Sequence, residues 1–94
     1  MPQIKHEFSA TGQSTEFPVV GESSCRYYAD FTTGSGVGTV QLEMQIKDDW
    51  LPADTAITAD MNTVEVSDAP STETTNYRWN CTAYTSGTIT VYLG

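Results

Sequence analysis

Gly38 to Trp50 reads GTVQLEMQIKDDW, and from Thr39 to Lys47 it alternates without a break. Val40, Leu42, Met44 and Ile46 fall on one side, and Thr39, Gln41, Glu43, Gln45 and Lys47 on the other. Successive side chains of a strand point to opposite faces, so the stretch predicts a half-buried β-strand with its apolar side turned inward. Wound as a helix, the same residues would scatter the apolar groups around the circumference and leave no stripe to bury. One such strand cannot cover its own apolar face, so a sheet and a second layer must follow.

Other stretches repeat the pattern. From Ser24 to Phe31, Cys25, Tyr27, Ala29 and Phe31 alternate with Arg26, Tyr28 and Asp30. From Asn76 to Ala83, Tyr77, Trp79, Cys81 and Ala83 alternate with Arg78, Asn80 and Thr82. In the last strand, Thr88 to Leu93, Ile89, Val91 and Leu93 are expected inward. Val64 and Val66 are expected inward on a weaker strand. STEFPVV, residues 14–20, reads as an edge strand, because Pro18 has no N–H to give a ladder. The glycine-rich run TTGSGVG, residues 32–38, is expected to be a hairpin loop; it has neither the lysine nor the following helix of a phosphate cradle. Strands of this kind recurring every 8–14 residues or so predict an all-β, single-domain antiparallel β-sandwich of about seven strands, with a small closed barrel as the alternative. Residues 1–10 are expected to form an N-terminal arm with a short first strand, and residues 11–94 the sandwich domain.

With 94 residues there is room for one core. A chain this short buries only about 60–65% of the surface it exposes when unfolded, so association with other subunits would add stability. Four Lys and Arg stand against twelve Asp and Glu, for a net charge of −8. A nucleic-acid partner or an anionic membrane surface is disfavoured, since both are held by cations. No apolar run approaches membrane-spanning length and MPQIKHEFSA has no signal-peptide character, so synthesis in the cytoplasm is expected.

The residues that usually carry chemistry are few. His6, the only histidine, sits in the arm, a poor place to hold a general base against a nucleophile. Cys25 and Cys81 are too far apart in sequence for a zinc knuckle and are expected as buried, reduced thiols, with a disulfide as the alternative. Asp48, Asp49, Asp54 and Asp60 lack the spacing and glycine of a calcium loop and read as a solvated acidic segment. Asn80-Cys81-Thr82 has the form of a glycosylation triplet but falls in mid-strand. No catalytic residue, cofactor site or metal site is therefore assigned. The candidate contact surface is a set of aromatics expected outward or in loops: Tyr28, Trp50, Tyr84 and Tyr92.

YRWNCTAYTSGTITVYLG, from Tyr77 onward, resembles the closing strands of small structural proteins of tailed bacteriophages, in which an alternating strand passes through a short Thr/Ser/Gly turn into G-T-x-x-V-x-L. GESSCRYYADF, GTVQLEMQI and Asp49-Trp50 fit the same scheme, so the resemblance covers roughly residues 20–94. It implies a non-enzymatic virion protein, most of all a capsid decoration or head-accessory protein. The implied partner is the major capsid or another virion protein, and a homo-oligomer is expected, a trimer being suited to capsid sites. A glycan- or receptor-binding module of a tail or fibre is the other reading.

Overall fold

The computed structural model describes residues 4–20, 24–61, 63–68 and 74–94. Among them are nine strands: β1 (Ile4–Phe8), β2 (Gly12–Gln13), β3 (Phe17–Val19), β4 (Ser24–Asp30), β5 (Val37–Ile46), β6 (Asp49–Pro52), β7 (Glu65–Asp68), β8 (Thr75–Ser86) and β9 (Ile89–Leu93). They form two antiparallel sheets. Sheet A has the order β1-β9-β4-β7. Sheet B has the order β2-β8-β5-β6, and β3 pairs with β8 farther along the edge that β2 also occupies. The two sheets are packed layers of a sandwich, and no closed barrel forms. The turn expected at residues 21–23 and the centre of the polar loop expected at residues 67–75 lie outside the described residues.

Almost every connection changes sheet, since only β2–β3 and the β5–β6 hairpin stay within one. The run 32–38 is therefore not the hairpin expected from its glycines. It is an arch that carries the chain from β4 in one layer to β5 in the other. A second arch, between β8 and β9, lies against it: Ser35 and Thr88 form a parallel bridge, and the Thr88 N–H donates to the Gly34 carbonyl at 3.0 Å. Alternation marks which face of a strand is buried, and both paired and stacked neighbours satisfy it. Only the close fit of the two arches distinguishes them.

The core is made by the faces expected to make it. Val40 and Leu42 of β5, Tyr77, Trp79 and Cys81 of β8, Cys25, Tyr27 and Ala29 of β4, and Ile89, Val91 and Leu93 of β9 are all buried. Phe8, Phe17, Val19 and Phe31 seal its margins. Trp79 ties the layers together. Its indole N–H donates to the Tyr92 carbonyl of sheet A at 3.1 Å, and its ring meets Tyr27 edge-on at 5.9 Å. Its backbone N–H donates to Ser14 Oγ at 2.9 Å, where the chain steps from β2 to β3 and the regular ladder is interrupted. Pro18 sits on that outer strand opposite Asn76, at an edge as its missing donor requires.

The alternation fails in three places. Met44 is only half-buried and Ile46 is 38% exposed, because β5 runs beyond the core towards the hairpin tip. The hairpin needs no glycine: Lys47 takes the left-handed conformation, φ 56°, in its two-residue turn. On β8 the register jumps, with Val40 opposite Cys81 but Thr39 opposite Ala83, so Thr82 is an extra residue. That bulge turns Ala83 outward and Tyr84 inward. On β7 the phase is opposite to the one expected. Val66 pairs with Arg26 on the outer face, and Val64 and Val66 are 57% and 56% exposed.

Residues 4–8, expected within an arm, form a strand paired with β9 from Ile4–Leu93 to Phe8–Ile89. Phe8 is 3% exposed, so this strand belongs to the sandwich. On the opposite side of the molecule, residues 53–61 close the gap between the layers. Ile57 exchanges backbone hydrogen bonds with Val40, and the Met61 N–H donates to the Ala29 carbonyl. Asp60 accepts from the backbone N–H groups of Phe31 and Thr32 at 2.6 and 2.9 Å and from the Thr32 hydroxyl. These hydrogen bonds, the Thr32 hydroxyl first, hold the Asp60 carboxyl below the usual range.

Both cysteines are buried free thiols, one on each sheet. Burial pushes the Cys25 thiol up to about 11 from 9.0, against a smaller opposing effect from the Gly94 backbone, and it also raises Cys81. Burial likewise raises the Tyr27 phenol, helped by its hydrogen bond to the Asp54 carboxylate. A group that keeps its proton longer when folded stabilises the fold below its unfolded pKa and loses that contribution as pH rises through the folded one. Stability should therefore decline in alkali from about pH 9 to about pH 11 and beyond. At pH 8 neither thiol should react with an alkylating reagent in minutes, while both should be alkylated in denaturant; mass spectrometry checks this, and unlabelled denatured protein two protons light would mean a disulfide.

Candidate contact face

Two of the four nominated aromatics come together. Tyr28 on β4 and Tyr92 on β9 are directly opposed on the outer face of sheet A, with ring centroids 6.1 Å apart and planes tilted by 48°. Alternation puts them there: their chain neighbours Tyr27, Ala29, Val91 and Leu93 fill the core. Lys5 on β1 lies opposite Tyr92 on its other side. Arg26 comes one pleat along β4 from Tyr28, and its Nε donates to the Gly94 carbonyl at 3.2 Å. Arg26, Tyr27, Tyr28, Val64 and Tyr92 line an open depression of about 320 Å³.

Sequence reasoning missed Arg26 and Val64 as members of this face. Arg26 shares the parity of Tyr28 and was within reach of the same reasoning. Val64 was not, because its place depends on which way β7 pairs with β4.

The other two aromatics are elsewhere. Tyr84 is turned towards the core by the Thr82 bulge, and its hydroxyl donates to the Gly87 carbonyl at 2.7 Å within the arch. Trp50, on β6, is on the outer face of sheet B, where the Arg78 guanidinium carbon stands 4.1 Å from its ring centroid. Arg78 Nε also donates to Glu43 Oε1 at 2.8 Å, and Asn80 Nδ2 donates to Glu43 Oε2 at 3.2 Å. Asn76 Nδ2 reaches Gln45 Oε1 at 3.1 Å along the same face. Sheet B thus spends its outer polar groups on one another. Sheet A presents an aromatic pair, a guanidinium and two exposed valines.

The acidic residues do not assemble. Asp48 and Asp49 are exposed at the β5–β6 hairpin, Asp54 accepts from the Tyr27 hydroxyl and the Thr55 N–H, and Asp60 serves the β4 arch. No group of three or more metal-ligating side chains occurs among the described residues. His6 lies half-buried on β1, edge-on to Phe8 at 4.5 Å between ring centroids.

No protein-family model, curated protein or solved structure matches the chain.

Proposed function

We propose that the protein is a non-enzymatic structural module of a tailed-phage virion, a head decoration or accessory protein that docks on other virion proteins through the outer face of sheet A. One observation carries this reading: the difference between the two outer faces. Trp, Tyr and Arg are the side chains that anchor protein interfaces most often; sheet A sets Tyr28, Tyr92 and Arg26 beside exposed Val64 and Val66, while on sheet B Trp50 is covered by Arg78, itself held by Glu43. The corresponding groups on sheet B are already engaged with each other.

A second reading rests on the tyrosine pair itself. Two tilted rings beside a guanidinium form an open cleft of the kind that accepts a sugar ring, as a tail or fibre module would. Cosedimentation with virions lacking the protein separates the two. The proposal expects saturable binding at micromolar concentration in a fixed number of copies per particle. Absence of particle binding together with specific capture of an oligosaccharide would replace it with the glycan-binding reading.

A further inference from the structure

Among the described residues the sandwich has four lateral strand edges, and three are blunted against further pairing. On the β2/β3 edge, β2 has two residues and β3 carries Pro18. The β6 edge has four residues and ends in Pro52. The β7 edge, Glu65–Asp68, also has only four residues. Short strands, prolines and charged side chains are the usual protections of exposed edges. β1 is the longest of these edge strands, and its two exposed charges, Lys5 and Glu7, are opposite in sign, so they can pair with a second copy of themselves. It is five residues long, IKHEF, has no proline, pairs with β9 on one side and has no strand on the other among the described residues. Its side chains also divide cleanly. Ile4 packs on the core and Phe8 is buried, on the same face as His6, while Lys5 and Glu7 are exposed on the outer face.

We infer that β1 is a self-pairing edge, through which two copies of the chain join antiparallel about a twofold axis at His6, making one continuous sheet from two copies of sheet A. The register follows from the sequence of β1. A one-residue slip would turn the core face of one copy against the solvent face of the other. A two-residue slip one way sets Lys5 against the second copy's Lys5; the other way, it sets Glu7 against the second copy's Glu7. Like charges directly opposed across a ladder are destabilising. Only the register centred on His6 keeps both core faces on one side. It places Ile4 beside the second copy's Phe8, and Lys5 beside the second copy's Glu7, with both pairs repeated by symmetry. A twofold interface requires such self-complementarity. The contact is twofold, unlike the trimer expected from the resemblance, and it rests on β1 alone, independent of what docks on the tyrosine face.

The test is self-association of the full chain by analytical ultracentrifugation at low salt, with charge reversals at the exposed positions. The wild type is expected to dimerise, and Lys5→Glu and Glu7→Lys should each weaken the dimer by about tenfold or more. The doubly swapped chain should recover it. An equimolar mixture of the two single variants should form the heterodimer, since one then has two acids where the other has two lysines. General charge repulsion predicts otherwise, because Lys5→Glu makes this acidic chain more acidic and Glu7→Lys makes it less so. Thermal melts at concentrations where the wild type is monomeric should be the same for every variant, as neither side chain is buried. A chain that stays monomeric at about 1 mM, where even millimolar affinity would show, overturns the inference. So does a dimer that neither single reversal weakens.

Discussion

Trp79→Ala should leave the domain largely unfolded at room temperature. The substitution empties the centre of the core, where Trp79 is 0% exposed, at a cost of about 3–5 kcal/mol for the cavity alone. It also removes the hydrogen bond from the indole N–H to the Tyr92 carbonyl across the layers, adding about 0.5–1.5 kcal/mol. Domains of this size have total stabilities of only about 5–14 kcal/mol, so the loss takes much of the margin. Trp79→Phe separates the two effects, keeping most of the ring volume and losing the donor. Urea denaturation should show a large drop in midpoint for Phe and no cooperative transition, or a transition at very low urea, for Ala. With Trp50→Phe in the background, Trp79 is the only indole left, and its fluorescence follows the core directly.

Gly87→Ala should be nearly as damaging, although Gly87 is exposed and one methyl group is all that is added. Gly87 holds φ at +73°, a conformation costing an L-residue about 1–2 kcal/mol. The added Cβ would also lie far inside contact distance of the Ser35 and Gly34 carbonyl oxygens, which are backbone and cannot swing away. The arches from β4 to β5 and from β8 to β9 would have to part, breaking the Thr88 to Gly34 hydrogen bond and the Ser35–Thr88 bridge. Gly12→Ala is the control, because Gly12 has φ +150° but nothing near the position of a Cβ. It should lose only the backbone preference, a melting temperature lower by a few degrees, whereas Gly87→Ala should lower it by well over ten.

Where burial repeats every second residue, the sequence shows it. The inward sets on β4 and β9, on β8 as far as Cys81 and on β5 as far as Leu42 are legible from alternation alone, because each strand lies inside its sheet with one face fully covered. Phase is lost where the ladder slips. Nothing in NCTAYTS announces that Thr82 is an extra residue, yet that bulge decides that Tyr84 turns in. Phase is also lost at the margins. Val64 and Val66 look like core residues, but on an edge strand they fall on the Arg26 side, and Glu65 shares the side of Tyr27. Partnership between strands is a third gap, since a glycine-rich connection suits an arch between layers as well as a hairpin within one. The contact face was half visible for the same reasons. The parity of Tyr28 and Tyr92 is plain, but their being neighbours depends on β4 pairing with β9, far apart in the chain, which local pattern does not show. Trp50 is outward as expected, and the Arg78 side chain that covers it comes from another strand.

The division of labour between the two outer faces is the central claim, and one binding comparison tests it most directly. The Tyr28→Ser/Tyr92→Ser double variant and the Trp50→Ser variant are each mixed with virions lacking the protein, and bound copies are counted after sedimentation. Far-ultraviolet circular dichroism confirms that both are folded. The account predicts that the tyrosine variant loses about a hundredfold or more in affinity, as removal of two central anchors does, while Trp50→Ser binds like the wild type. Full binding by the tyrosine variant, or loss confined to Trp50→Ser, would contradict it and move the docking surface to sheet B.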